Sequence, residues 1–294
     1  MKVKSIGLFG NAAKREIIPA IQFVREVCDK AQVEVCLTRK MARIATEDLS
    51  GLPTSGLVRR VDMVIALGGD GTMLRAARAI GKAGTPLLGI NLGSLGYLTD
   101  VPFEDVAGAL EQIFAGDYLL EERARVCCTA WREGRKLTSF SALNDIVINM
   151  GPMPRALDLE LKLGGQSLGR FFGDGIIFST PTGSTAYNLS AGGSICHSSV
   201  SCLMITPICP HSLGIRPLIV PNDTDIELIL YNVGNGAKLT ADGQETANLY
   251  DHDRVNLGAS QWSDRLVKFP QSNFYKVMRH KLNWGGTKRR ESSE

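Results

Sequence analysis

No stretch of the chain approaches 18 consecutive apolar residues, so no helix of it is expected to span a membrane. The first apolar run ends at Gly10 and gives way to Asn11, Lys14 and Arg15, too soon for the hydrophobic region of a signal peptide. Charge of one sign is also lacking. Lys and Arg number 33 and Asp and Glu 30, and the resulting +3 is too mild to demand a nucleic acid or an anionic membrane as partner. There is no CxxC pair, and seven cysteines is an odd count for a secreted disulfide framework. A reduced, cytoplasmic, enzyme-sized protein is the expectation. Three signature motifs are missing as well. The first strand ends in Gly7-Leu-Phe-Gly10, not GxGxxG, which leaves a dinucleotide-binding dehydrogenase unsupported. The Gly81-Lys82 pair is followed by Ala83, so there is no P-loop. No Gly-x-Ser-x-Gly is read in the chain, and Ser184, in Gly183-Ser184-Thr185, lacks the setting of a nucleophile elbow.

What is present has the make-up of a globular protein. At roughly 150 residues per domain, 294 residues suggest two domains, with enough chain to bury a core. Apolar residues at 44% and charged residues at 21% exclude wholesale disorder. Glycine is in excess, 31 residues or about a tenth of the chain against a usual ~7%. These glycines have no three-residue period, so they serve turns or close backbone approach.

The first third alternates strand and helix patterns. Val3–Phe9, Val33–Leu37, Val61–Leu67 and Pro86–Ile90 read as strands, the last two as strands buried on both faces. Ile17, Ile21, Val24 and Cys28 mark one helix, Met73, Leu74, Ala77 and Ile80 a second, and Phe103–Phe114 a third. This is the grammar of a parallel sheet covered on both sides, a Rossmann-like α/β domain over residues 1–120. Near residue 120 the grammar changes. Leu157–Leu163 alternates apolar and polar, Gly164-Gly165 turns the chain, and Ile226–Tyr231 and Lys238–Glu245 repeat the pattern. A β-rich, sandwich-like domain is expected over 121–268. A helix within 270–284, over Phe274–Leu282, is expected to pack back on the first domain, and 285–294 form a polar tail.

Four constellations carry chemistry. Gly68-Gly69-Asp70-Gly71-Thr72 stands at the carboxyl end of a strand, where an α/β sheet binds ligands. Gly68, Gly69 and Gly71 let backbone N–H groups reach phosphate oxygens, and Thr72 can cap the helix or bond a phosphate. A carboxylate repels phosphate, so Asp70 belongs to a hydroxyl or a metal ion. The plain alternative is a tight turn with an Asp cap. Gly173-Asp174-Gly175 and the hydroxyl-rich segment Thr180 to Gly193 form a polar cradle in which Tyr187 can stack on a base, or a surface loop with Tyr187 in the core. Asn144-Asp145 can hold ribose hydroxyls or an adenine edge, or make a turn. Asp242-Gly243-Gln244 fits a type I′ hairpin. The spacings among Cys196, His197, Cys202, Cys209 and His211 match no zinc template.

In combination these segments resemble the NAD kinase family of bacterial type. The resemblance covers most of the chain. It rests on Leu67–Leu74 (LGGDGTML), Gly89–Asp100 (GINLGSLGYLTD), Ala142–Asp145, Asp174-Gly175, Ser179–Tyr187 (STPTGSTAY) and Leu189–Gly193. It implies an N-terminal α/β domain, a C-terminal β-rich domain and an active site between them. It also implies transfer of the γ-phosphoryl group of ATP to the 2′-hydroxyl of the adenosine ribose of NAD. By the same resemblance Asp70 sits at that hydroxyl as proton acceptor, and Gly71 and Arg75 adjoin the NAD. Asn144 and Asp145 match the pair that holds its adenosine. Asp174, Thr182, Thr185, Ala186, Tyr187, Asn188, Leu189 and Ser190 match further NAD contacts, and Arg155 and Gln244 additional ones. No residue is assigned to a metal; Mg²⁺ is expected to arrive on ATP. The implied partners are NAD, ATP and further copies of the chain in a homodimer or homotetramer, with no nucleic acid or membrane. Gly173, Ser194 and Asp145 stand where family members often have Ala, Pro and Glu. The GGDGT segment is shared with diacylglycerol- and sphingosine-type lipid kinases, which gives one rival reading. An NAD(P)-binding regulator without turnover is another, against which an acid beside phosphates argues.

Overall fold

In the computed structural model, which describes residues 3–45, 51–93, 96–99, 101–150, 156–234 and 236–284, the short apolar runs of the first third pair as parallel strands. Their order is Glu34–Leu37, Ser5–Gly10, Met63–Leu67, Leu87–Asn91, and Val101–Pro102 joins the carboxyl end of Leu87–Asn91. Side chains of successive strand residues point to opposite faces. Met63, Ile65 and Leu67 accordingly join one core with Ile21, Val24 and Leu110 of the helices Ile17–Lys30 and Val106–Ala115. Val64 and Ala66 join the other core, with Leu57 of the helix Thr54–Arg60 and Ala77 of the helix Asp70–Ile80. Burial on both faces is why these strands read as unbroken apolar runs.

Several boundaries differ from the sequence reading. The strand expected from Val61 starts at Met63, because Val61 closes the preceding helix and the Asp62 carboxylate accepts the N–H groups of Lys4 and Ser5. The helix expected over Phe103–Phe114 divides into a 3₁₀ turn, Phe103–Asp105, and Val106–Ala115, ended by Gly116 at φ 81°. The helices Arg39–Ala45 and Thr54–Arg60 had no clear sequence period. Leu119–Arg123 and Asp264–Lys268, which fall largely inside the 121–268 span, pair antiparallel with each other and extend the parallel sheet beyond Leu87–Asn91. Strand patterning shows a face, not the sheet a strand will join.

The β-rich part consists of two antiparallel six-stranded sheets. One runs Gln166–Gly173, Leu157–Leu163, Ile226–Tyr231, Arg254–Ala259, Val126–Arg132, Arg135–Ala142; the other runs Leu218–Pro221, Cys202–Ile208, Gly175–Ser179, Asp145–Met150, Ala237–Ala241, Glu245–Leu249. A single core joins them: Leu157, Leu159, Leu161 and Leu228 from the first, Ile148, Phe178, Ile205 and Leu239 from the second. Each such side chain stabilises the sandwich by roughly 1.5–3 kcal/mol relative to exposure. The sequence reading that no Gly-x-Ser-x-Gly is present is corrected at Gly165–Gly169, where the spacing occurs but lies at a hairpin, and the Ser167 hydroxyl donates to Glu160. An elbow needs a strand-to-helix turn. The helix Phe274–Leu282 forms as expected, capped by Asn273, whose side chain accepts the N–H groups of Tyr275 and Lys276.

Candidate active site

The fully buried strand Met63–Leu67 drives the chain into the GGDGT turn. Gly68 has φ 150°, and a Cβ there would stand 2.6 Å from Thr72 Oγ1, so the turn closes only on glycine. The helix Asp70–Ile80 then begins, held by Met73, Leu74, Ala76, Ala77 and Ile80 on its buried side. Its first-turn N–H groups carry the positive end of the helix dipole. Arg75 Nη2 donates to Thr72 Oγ1 at 3.3 Å.

Asp70 turns back from the helix start onto the segment 96–98. Its Oδ2 accepts the N–H of Tyr97 at 2.9 Å and its Oδ1 that of Leu98 at 3.0 Å. Each oxygen keeps a second lone-pair direction. The carboxylate is therefore fixed in direction but still able to accept a hydroxyl proton. Burial, and then the negative Asp70, push the Tyr97 phenol above its ordinary pKa.

A second carboxylate organises the opposite wall. Asp242 accepts the N–H groups of Leu143 at 3.0 Å, Asn144 at 2.7 Å and Asp145 at 3.3 Å. It does so from a hairpin in which Asp242 and Gly243 both have positive φ, 50° and 65°, and Gln244 N bonds Ala241 O. Those values are the type I′ geometry the sequence suggested. Next in the hairpin, Gln244 Nε2 donates to the Gly71 carbonyl at 3.1 Å and so ties the hairpin to the GGDGT turn. Asp145 is buried; burial first, and the Asp242 charge second, raise its pKa to about 7. Burial likewise raises Asp242, against the three N–H groups that favour its charged form.

The hydroxyl-rich segment packs on the same wall. Thr180 N donates to Asn144 O, and Thr180 Oγ1 donates to Leu143 O at 2.5 Å and accepts Gly183 N at 3.1 Å. The 3₁₀ turn Thr182–Thr185 follows. Thr182 and Thr185 line a cavity of about 490 Å³ together with Tyr97 and Leu98, the residues that hold Asp70. Asn188 does not reach it. Its side chain is fully buried, donates to Ser184 O and Ser194 O and accepts the Thr206 hydroxyl at 2.6 Å. It fixes the loop from within. Tyr187 is 43% exposed, which sets aside the reading of it as core. Ser190 is exposed and Leu189 and Ala186 are partly so. The Asp174 backbone bonds Met150 N and Ile208 O. Arg155 lies outside the described residues. Cys196 and Cys202 stand Sγ to Sγ at 3.6 Å in a small buried cluster with Met204, and Cys209 is exposed.

Sequence reasoning missed the backbone of Tyr97 and Leu98, which left only Gly96 as a signal. It also missed Arg123, a buried guanidinium on that cavity.

Comparison with known proteins bears on the same segments. Residues 6–118 match the profile of the ATP-NAD kinase N-terminal domain, and residues 143–269 that of the ATP-NAD kinase C-terminal domain. The chain is 36% identical over 283 residues to the NAD kinase of Natranaerobius thermophilus, covering 96% of this chain and 99% of that one. It is 38% identical over 286 residues to the NAD kinase of Syntrophotalea carbinolica, again covering 96% and 99%. Its fold superposes on yeast NADH kinase complexed with NADH with a TM-score of 0.90 and 26% identity, over 98% of this chain and 90% of that chain. An NAD kinase from Archaeoglobus fulgidus in complex with ATP gives a TM-score of 0.76 and 25% identity, over 95% and 98%.

Proposed function

Because the chain belongs to the NAD kinase family and is a phosphotransferase of that kind, we propose that Asp70 receives the 2′-hydroxyl of the adenosine ribose of NAD while ATP supplies the γ-phosphoryl group. The single observation that carries this reading is the clamp of Tyr97 N–H and Leu98 N–H on the Asp70 carboxylate, beside a glycine-rich helix start. A ribose hydroxyl is a far weaker acid than a carboxylic acid, so Asp70 does not strip its proton in advance. It orients the hydroxyl by accepting its hydrogen bond, and takes the proton late, as the O–P bond forms. Phosphoryl transfer passes through a loose transition state, so most of the gain comes from position and charge neutralisation. Gly69, Gly71 and Thr72 at the helix start suit the phosphates. Asn144, Asp145, Thr182 and Thr185 suit the adenosine, and Gln244 carries an orphaned buried acceptor, Oε1, beside them.

Mg²⁺ fits this donor set as an ion brought mainly by phosphate oxygens. Asp70 is the carboxylate at the turn, a hard oxygen donor of the kind Mg²⁺ takes beside phosphate oxygens. When bound through ATP, the ion would supply neutralisation of phosphate charge. The same reading places the site between an α/β unit, 1–120 with the strands Leu119–Arg123 and Asp264–Lys268 added to its sheet, and a β-rich unit made of the rest of 121–268. It also carries a cytoplasmic setting and a homodimer or homotetramer, the latter open to sedimentation analysis.

The test is to incubate the purified protein with NAD, ATP and Mg²⁺ and to follow NADP. Asp70→Asn should fold and lose about a hundredfold or more in kcat. Full activity in that variant would end the assignment of Asp70.

A further inference from the structure

We propose that Arg123 is a positioning residue of the nucleotide site, acting through the hydroxyl of Thr182; the inference rests on the reading of Thr182 as a nucleotide contact. Arg123 lies on Leu119–Arg123, the outer strand of the parallel sheet. Its side chain is only 9% exposed. Nη1 donates to Thr182 Oγ1 at 3.3 Å and Nη2 donates to Glu121 Oε2 at 3.0 Å. The other Glu121 oxygen accepts the Ser198 hydroxyl at 2.6 Å. One ion pair on the parallel sheet thus anchors two loops of the β-rich part, the Thr182–Thr185 turn and the segment at Ser198. Both of these loops line the cavity that contains Tyr97 and Leu98. Against the pull of burial, the Ser198 hydroxyl and the Arg123 charge hold the Glu121 carboxyl below its ordinary pKa. The Glu121 carboxylate therefore keeps its charge at neutral pH.

The consequence is chemical as well as geometric. A hydroxyl has one proton to give and two lone pairs to fill. With Arg123 as an obligatory donor, the Thr182 oxygen accepts and its proton remains free to be given away. Thr182 is thereby set as a donor, suited to an acceptor on the nucleotide such as a ring nitrogen or a phosphate oxygen. Only a planar fork can hold Glu121 and Thr182 together; a lysine ammonium is a point charge on a flexible stem and does not replace it.

The experiment is steady-state kinetics on Arg123→Lys, Thr182→Val and the double variant, with circular dichroism to establish folding. Each single change should raise KM for NAD by about tenfold, the scale of one charge-assisted hydrogen bond, and leave kcat within about twofold. The double variant should be no worse than Thr182→Val, because the two residues act as one unit. Thr182→Ser, which keeps the hydroxyl, should restore most of the loss. If Arg123→Lys does not fold, Glu121→Gln replaces it, with a smaller rise of about threefold expected from the loosened fork. Unchanged KM in Thr182→Val would overturn the nucleotide reading of Thr182 and this inference with it. A rise in Thr182→Val with none in the Arg123 or Glu121 variant, or effects that add in the double variant, would overturn the role of Arg123 alone.

Discussion

Gly96 packs directly on the Asp70 carboxylate: a Cβ built at Gly96 would overlap Oδ1 and stand 2.5 Å from Thr99 Oγ1. The glycine is thus part of the machinery, although it carries no functional group. It lets the N–H groups of Tyr97 and Leu98 close on both carboxylate oxygens.

Gly96→Ala should therefore act in the same direction as losing Asp70. The new methyl group must displace the carboxylate or the segment 96–98, and either move turns the acceptor away from the hydroxyl. Since a small misplacement of a reacting group costs about a hundredfold, kcat for NADP formation should fall by roughly that factor. The melting temperature should drop by only a few degrees, as the change is local. Normal kcat in this variant would show that the direction of the carboxylate does not matter.

Asp70→Asn is not a clean removal of charge. An Asn side chain offers one acceptor oxygen and one NH₂ donor. It can satisfy Tyr97 N–H or Leu98 N–H, and must set a donor against the other. Amide hydrogen exchange should accordingly speed up at Tyr97 or Leu98 in Asp70→Asn, whereas bound nucleotide should slow it in the wild type. Unchanged exchange at both positions would count against the clamp.

The sequence made the GGDGT turn legible because its cause is local: a buried strand, a turn closed by Gly68, a helix period. The same holds for the Asp242-Gly243 hairpin. The wiring between distant segments was not legible. Nothing near Asp242 announces that its carboxylate will accept three N–H groups from residues 143–145, about a hundred positions earlier. Asn188 shows another kind of long-range wiring. It sits inside a motif rich in exposed polar residues, yet its amide is fully buried and bonded to the backbone of Ser184 and Ser194. Polarity in a motif does not say which side chains face out.

Asp145 predicts a pH dependence of stability. Its folded pKa of about 7 lies well above the ordinary 3.8, through burial first and the Asp242 charge second. An acid raised in this way stabilises the fold fully at pH below its unfolded pKa, and that contribution is lost as pH climbs through the folded pKa. Stability to urea should decline between about pH 4 and pH 7, by an amount on the order of a few kcal/mol. Burial shifts Asp242 and Asp264 in the same direction. Asp145→Asn should flatten this slope. An equally steep slope in the variant would assign it to the other two carboxylates.

Arg125 and Asp264 are both about 2% exposed and meet at 2.6 Å, with Arg125 also donating to the Ser141 hydroxyl at 2.8 Å and the Ser141 carbonyl at 3.0 Å. Removing one partner leaves the other charge buried. Asp264→Ala should cost about 3–5 kcal/mol in urea unfolding. Arg125→Met should be comparably harmful, since it leaves Asp264 facing Asp242 without a counter-charge. The double variant Arg125→Met, Asp264→Leu removes both charges and should be more stable than either single one. Simple additivity of the two losses would contradict the account.

Gln244 offers the sharpest electrostatic test of the turn. Its Nε2 donates to Gly71 O at 3.1 Å, beside a helix start suited to phosphates. Gln244→Met removes that hydrogen bond together with the orphaned Oε1 acceptor; KM for NAD should rise by about threefold to tenfold. Gln244→Glu does more. It sets a carboxylate oxygen against the Gly71 carbonyl oxygen and places negative charge next to the incoming phosphates. Its KM should rise further, and the excess over Gln244→Met should shrink as salt is added, because exposed charges are screened over about 10 Å at 0.1 M. A loss in Gln244→Glu that is insensitive to salt, or equal to that of Gln244→Met, would mean that the hairpin only braces the turn and does not lie close to the phosphates.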